Sequence, residues 1–319
     1  LESWLLKTLK ENDFSELKIA TEATSFLDLH LVDFLASSQL LAPFRPSIYQ
    51  FNPRIVRNFK KAYSEKEKTD KVDAFVITDR LRFGRLPEPY ETHQPYLPLR
   101  RLTRYRFHIV KAINREKAYF LTHLYLKFSA FSMEKPFASL FGATSLAVIT
   151  DFSPDELVRL SLEELTQFII DNGKNRFKDP QKVVETLQRA ARESYRLRPA
   201  LASSIDLILA TILQTLRALQ EALKEVDRAI EKEFKAFPNT LQSIKGIGPV
   251  YSAGIFSEIG EITRFPREDA LAKFAGLTWK RYQSGNFEAE ETRMSKTGND
   301  YLRYYFIEAA NALRVHNAE

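Results

Sequence analysis

Cysteine is absent from all 319 residues. That excludes disulfide scaffolds, zinc fingers and ribbons, thiol nucleophiles and iron–sulfur clusters. The five histidines, His30, His93, His108, His123 and His316, are scattered without metal or triad spacing. Glycine is scarce, ten in the chain, and most of it falls between Gly246 and Gly298, so the composition changes after Phe237-Pro238. No apolar run approaches the ~18–20 residues of a membrane span, which predicts a chain without a membrane helix. The opening Leu1-Glu2-Ser3-Trp4 has no basic n-region and no small-residue cleavage site, so no signal peptide is expected. Its first residue is Leu rather than Met, which leaves room for a missing N-terminal segment. What remains is 44% hydrophobic and 28% charged, the balance of a globular soluble chain, long enough for roughly two to three domains.

The charge is uneven. The whole chain carries +6 and an isoelectric point near 9.2, which favours a polyanionic partner. From Asn52 to Phe128 there are 18 Lys/Arg against 8 Asp/Glu, a net of +10, so the rest is net −4. Read as a helix, Arg100, Arg104, Lys111 and Arg115 recur at steps of 4, 7 and 4 and share a face. Leu102, Tyr105, Ile109 and Ile113 fall on the other side. A basic stripe with aromatics beside it suits a phosphate backbone, and a solvated helix face is the plainer alternative.

Along the chain, residues 1–12 read as an amphipathic helix, Leu17–Ala20 as a short strand, Phe26–Leu35 as a helix and Leu40–Phe44 as a second buried strand. This rhythm indicates an α/β unit. A further helix follows Asn52-Pro53, and another runs from Asp70 to about Arg82. Pro87, Pro89, Pro95 and Pro98 form a linker. Beyond it the chain reads as almost wholly helical, with one long helix over Leu99–Phe128. Ser153 and Ser161 open helices with acids in their first turns. Ile205, Leu209, Ile212, Leu216, Leu219, Leu223, Val226 and Ile230 alternate steps of 4 and 3, a heptad seam. That seam predicts a coiled coil, within the chain or between chains, and with it an oligomer; a buried bundle helix is the alternative. The expected domains are 1–98, 99–236 and 237–319.

Four motifs carry candidate chemistry. Ile244-Lys245-Gly246-Ile247-Gly248-Pro249 resembles a helix-hairpin-helix, whose turn presents backbone N–H groups to a phosphate; a glycine-held helix connection is the alternative. Asp70 and Asp73, three apart, project from one helix face and can hold Mg²⁺ through hard oxygen ligands; equally, Asp70 could be an N-cap and Asp73 the acid of a capping box. Glu22 ends the first strand, where it could join those acids or cap the helix that follows. Gln283-Ser284-Gly285-Asn286, followed by Ser295-Lys296-Thr297-Gly298-Asn299, offers Ser284 as a nucleophile on a flexible turn; an ordinary Ser-Gly turn is the alternative.

Taken in order, Thr21-Glu22-Ala23-Thr24, Phe51-Asn52-Pro53 with Arg57 and Phe59, and Lys68-Thr69-Asp70-x-x-Asp73-Ala74 resemble the N-terminal domain of DEDD-type insertion-sequence transposases. Ile244–Gly260, Arg264-Phe265-Pro266, Phe274-Ala275-Gly276-Leu277, Gln283-Ser284-Gly285 and the Ser295–Asn299 run with Leu302-Arg303 resemble their C-terminal domain. The chain is thereby similar to the IS-one-ten family, whose better-known members are bridge-RNA-guided recombinases. The resemblance implies a RuvC-like (ribonuclease-H-like) α/β domain, a helical and coiled-coil middle, and a helical C-terminal domain. It implies metal-binding acids at Glu22, Asp70 and Asp73, Mg²⁺ as cofactor, and Ser284 as the residue that attacks a DNA phosphate. Arg100, Arg104, Lys111, Arg115, Lys245, Gly246, Gly248 and Lys296 are the expected nucleic-acid contacts. The implied partners are DNA, a structured guide RNA and further copies of the chain, as a dimer or tetramer in a prokaryotic cytoplasm. In the family a further acid lies on the opening strand. The residues before Glu22 read as a helix and a strand, and neither Asp13 nor Glu16 matches that position. A non-catalytic nucleic-acid-binding relative and a Holliday-junction-type resolvase are the competing expectations.

Overall fold

A computed structural model describes residues 1–23, 26–63, 69–92, 94–279 and 293–316, together with the backbone of 283–284 and 287–288. The chain divides into two compact units, Leu1–Pro95 and Tyr96–Glu319, and the division falls among the linker prolines.

The first unit is a small α/β layer structure. Strand β1 (Lys18–Glu22) pairs in parallel with β2 (Ser47–Phe51), with Lys18 opposite Ser47 and Glu22 opposite Phe51. Alternation along the strands decides which helices each face meets. Ile19 and Ile48 face a core of Leu9, Leu17, Val32, Leu35 and Leu41, which come from α1 (Glu2–Glu11), α2 (Leu29–Ser37) and the turns beside them. Ala20 and Phe51 face the opposite way, onto Val56 of α3 (Pro53–Lys60) and Val72 and Val76 of α4 (Asp70–Phe83). Asn52 opens α3 by accepting from the Arg54 N–H at 2.8 Å, with Pro53 in the first helical turn.

The strand expected at Leu40–Phe44 is instead a 3₁₀ turn over Ala42–Phe44. Pro43 cannot donate to a ladder, and the run between Pro46 and Pro53, Ser47-Ile48-Tyr49-Gln50-Phe51, forms the strand.

The second unit is helical. Its frame is an antiparallel pair, α5 (Leu97–Lys127) and α11 (Pro199–Phe234). Between them in sequence lie α6 (Phe131–Glu134), α7 (Ala143–Asp151), α8 (Pro154–Arg159), α9 (Leu162–Gly173) and α10 (Pro180–Glu193). Ser153 and Ser161 cap α8 and α9 in full capping boxes with Glu156 and Glu164. Then come α12 (Pro249–Ile259), α13 (Glu268–Ala275), a short antiparallel pair β3 (Gln283–Ser284) with β4 (Phe287–Glu288), and α14 (Asp300–His316).

The heptad seam is filled inside the chain. Ile205, Leu209, Ile212 and Leu216 share a buried cluster with Ile109, Ile113, Phe120 and Leu124 of α5, and Leu219, Leu223 and Val226 pack against it. Ile230 and Phe234 meet Leu99 and Ala253. The bundle-helix alternative therefore describes this seam, and the seam by itself calls for no second chain. Two ion pairs fix the register of the two helices: Arg106 to Asp227 at 2.6 Å and Lys127 to Asp206 at 2.8 Å. Helix α11 is also, contrary to the expectation from unbroken apolar runs, long and apolar enough, by length and composition alone, to cross a membrane. Here its seam lies in a protein core.

Candidate active site and nucleic-acid interface

Glu22 is the last residue of β1, at the carboxyl end of the parallel pair, the edge where open α/β sheets place their ligands. It lies two residues after Ala20, so both side chains leave the same face of the sheet, the face covered by α4. The acids of α4 sit in its first turn. Glu22 and that turn thus belong to one face of the unit. Thr21 and Gln50 belong to the other, where both donate to Asp28 Oδ2 at 2.8 Å.

The capping alternative for the α4 acids is replaced by different local chemistry. Thr69 is the N-cap, accepting from the Val72 N–H at 3.3 Å. That leaves Asp70 exposed and frees Asp73 for an ion pair with Lys60 of α3. Among the described residues no three His, Asp or Glu side chains converge as a metal cage. Mg²⁺ rarely needs such a cage. It is held by one or two carboxylates plus waters and substrate phosphates. Asp70 and Asp73 are hard-oxygen groups of that kind, and in this structure Asp73 is paired with Lys60.

The C-terminal motifs of the second unit converge on one buried carboxylate, Glu258 of α12, which is 2% exposed. Arg104 of α5 donates to it twice, Nε to Oε1 at 2.6 Å and Nη2 to Oε2 at 2.8 Å. Asn299 Nδ2 donates to Oε2 at 2.7 Å, while its Oδ1 caps α14 by accepting from the Tyr301 and Leu302 N–H groups. Burial works against the Arg104 charge, but the hydrogen bonds and the charge of Glu258 outweigh it and hold its pKa above the ordinary value. Alongside, Arg100 Nε donates to the Ser257 carbonyl at 2.7 Å. Arg100 and Arg104, expected to contact nucleic acid, are therefore committed to holding α5 against the end of α12. Lys111 and Arg115, farther along the stripe, are exposed. Sequence reasoning misses Glu258, although a lone acid between Ile255 and Ile259 of an apolar helix is a visible signal.

The same node anchors the segment that carries Ser284. The Asn299 N–H donates to the Phe274 carbonyl at 2.7 Å, and the Ser295 N–H to the Thr278 carbonyl at 2.7 Å. Gly298 passes so close to the end of α13 that a Cβ there would lie 2.4 Å from the Phe274 oxygen. Gly276 ends α13 with a positive φ of 72°, a conformation glycine adopts without strain. Above this base, β3 and β4 pair Ser284 with Phe287. The side chain of Ser284 lies outside the described residues. Lys296, exposed and at a φ of 50°, stands in the anchoring loop.

The helix-hairpin-helix expectation holds only in its second half. Helix α12 starts at Pro249 after the Gly246–Gly248 turn, but the first limb is a 3₁₀ turn over Leu241–Ser243, because Pro238 and the turn leave only a short stretch between them. Gly246, at a φ of 100°, lets the turn approach α14, where an added Cβ would lie 3.0 Å from the Ala312 oxygen. Lys245 and Gly248 are exposed.

Residues 1–129 match a family model described as a transposase, of the DEDD type, and residues 239–319 match one described as "Transposase IS116/IS110/IS902 family". The chain is 27% identical over 265 residues to an insertion element IS116 uncharacterized 44.8 kDa protein of Streptomyces clavuligerus, covering 81% of this chain and 64% of that protein. It is 33% identical over 141 residues to a transposase for insertion sequence element IS1111A of Coxiella burnetii, covering 41% of this chain and 38% of that protein. The chain thus spans less than two thirds of the length of either relative.

Proposed function

From a chain that belongs to the IS116/IS110/IS902 transposase family, we propose a DNA transposase/recombinase that cleaves and exchanges strands under the guidance of a structured RNA. The observation that carries this reading is the anchored segment of the second unit. Two glycines, the Asn299 cap and a buried Glu258–Arg104 pair fix the base of the stretch that bears Ser284.

In this reading Ser284 attacks a DNA phosphate. Its Oγ–P bond forms as the P–O bond to the deoxyribose breaks, the serine proton leaves, and the departing oxygen is protonated. The ester keeps the phosphate activated for rejoining to another strand. Glu22, Asp70 and Asp73 are the proposed acidic groups, with Asp73 exchanging Lys60 for a divalent cation when nucleic acid binds. Mg²⁺ held there would supply charge neutralisation at the phosphate. Lys111, Arg115, Lys245, Lys296 and the Gly246–Gly248 turn are the proposed backbone contacts, which position a duplex without reading it. Sequence choice then falls to base pairing with the guide.

A test is strand cleavage of cognate DNA in the presence of Mg²⁺ and RNA transcribed from the noncoding flanks of the gene. Ser284→Ala and Asp73→Ala should each abolish cleavage while leaving DNA binding intact. A non-catalytic nucleic-acid-binding protein is the second reading, favoured by the Lys60–Asp73 pair; it expects salt-sensitive binding and no cleavage by the parent chain. In a resolvase that uses the acids alone, Ser284→Ala would be harmless.

A further inference from the structure

Arg264 opens the Arg264-Phe265-Pro266 motif and closes a 3₁₀ turn over Ile262–Arg264, just past the end of α12. Its guanidinium carbon lies 4.8 Å from the ring centroid of Phe265 and 4.8 Å from that of Phe274. Stacking of this kind fixes the plane of an arginine and leaves its N–H donors unspent. The residue is exposed, and no hydrogen bond or ion pair to a described residue engages those donors. A fork held in place by rings gives up less freedom when it takes a ligand than one on a loose stem.

The surroundings are rich in positive charge. Burial pushes the Arg100 guanidinium below its ordinary value, Glu258 opposes that, and the neighbouring charges of Arg104, Arg264 and Arg101 push it down again. Glu258 is already shared by Arg104 and Asn299. Glu261 accepts from the Tyr96 hydroxyl at 2.6 Å and forms no ion pair with a described cation. Arg100 spends Nε on the Ser257 carbonyl, which leaves its two outer nitrogens without a described hydrogen bond. Cations that repel one another and lack carboxylates of their own are relieved by an anion, and the planar fork of arginine matches phosphate oxygens. The place is specific. The carbonyl of Phe274, whose ring carries Arg264, receives the Asn299 N–H that anchors the Ser284 segment. Lys296 comes to the same end of α13, where a Cβ on Gly276 would lie 3.1 Å from its carbonyl carbon. We infer that Arg264, with Arg100 as the neighbouring charge, holds a backbone phosphate of the DNA strand at the foot of the segment that bears Ser284. The inference rests on the nucleic-acid reading proposed above, and it adds to that reading a fixed seat for the strand.

The test is the salt dependence of equilibrium binding by the full chain, measured on a short labelled DNA duplex and on RNA transcribed from the noncoding flanks of the gene. It needs no cleavage, so it stands apart from the serine chemistry. Arg264→Gln should lower the slope of log K against log salt on DNA by about 0.9, the share of one phosphate. Its melting temperature should hold, because the exposed side chain bonds to nothing in the fold but two rings. Arg264→Lys keeps the charge and should keep the slope, while binding more weakly at every salt concentration because an ammonium cannot offer the fork. An unchanged DNA slope in folded Arg264→Gln overturns the site and leaves the nucleic-acid reading standing. A loss of slope confined to RNA overturns the assignment to the DNA strand. Failure of the parent chain to bind either nucleic acid overturns both readings.

Discussion

Glu258 gathers one partner from α5 and one from the loop before α14, and its carboxylate is nearly inaccessible. A buried charge pair adds little over an apolar substitute, but removing one partner strands the other. Glu258→Ala should therefore cost about 2–4 kcal/mol, because the part-buried Arg104 and the Asn299 amide both lose the acceptor they share. Urea unfolding of the full chain measures this directly; a loss under about 1 kcal/mol would mean that the node is replaceable. Gly254 presents a different constraint. A Cβ there would lie 2.4 Å from the Tyr305 ring, which is fully buried and held by its hydroxyl donating to the Thr103 carbonyl at 2.7 Å. The ring has no room to retreat, so Gly254→Ala should destabilise by about 1–3 kcal/mol, the usual cost of overpacking. Thermal unfolding of that variant checks it. Burial pushes the Tyr305 phenol above its ordinary value, so the tyrosine is kept neutral in the folded chain.

At the scale of elements, the capping boxes of α8 and α9 give a pH dependence of known sign. Backbone and side-chain hydrogen bonds from Ser153 and Ser161 hold Glu156 and Glu164 below the ordinary carboxylate value. A depressed carboxylate stabilises the fold above its unfolded pKa, and that contribution is lost as pH falls through the folded one. Acid unfolding of Ser153→Ala/Ser161→Ala should therefore be less steep below about pH 4.5 than that of the parent chain, with both chains compared at equal stability near neutral pH. These caps were legible because Ser-x-x-Glu has a local mechanism that needs no tertiary knowledge. The long helices were legible from periodicity: Leu99–Phe128 was expected where α5 spans Leu97–Lys127, and the seam Ile205–Ile230 lies inside the longer α11, Pro199–Phe234. The second strand was misplaced because Leu40–Phe44 is as apolar as a strand, and only the bond-donating capacity of Ser47–Phe51 between two prolines decides between them. The heptad seam was correctly periodic, but periodicity is blind to which chain supplies the partner helix; here it is α5. Leu216→Ala should accordingly lower stability by about 2–5 kcal/mol as a core truncation, with no change in mass by sedimentation. The acids of α4 were legible as a pair, whereas the link of Asp73 to Lys60 depends on how α3 folds back, which spacing does not encode.

Across the whole molecule, the +10 block read from the sequence separates into two kinds of charge. Arg80, Arg100, Arg104, Arg106 and Lys127 are tied to carbonyls, carboxylates or rings of the chain itself. Lys111 and Arg115 are exposed, with only surface partners, the Phe107 ring for Lys111 and Glu116 at 3.8 Å for Arg115. Lys111→Gln/Arg115→Gln should leave stability unchanged and reduce the salt slope of duplex DNA binding by about 1.8, at roughly 0.9 for each phosphate no longer neutralised. Arg104→Gln should act the other way, lowering stability first. The absence of cysteine leaves carboxylates and hydroxyls as the reactive groups, and the proposed mechanism places the decisive bond on one hydroxyl. The most direct measurement is therefore denaturing electrophoresis of the full chain after incubation with labelled cognate DNA, flank-derived RNA and Mg²⁺, with the linked residue mapped by mass spectrometry. The expected result is a covalent protein–DNA adduct on Ser284 that Ser284→Ala does not form; cleavage without an adduct, or an undiminished adduct in Ser284→Ala, would contradict a serine nucleophile.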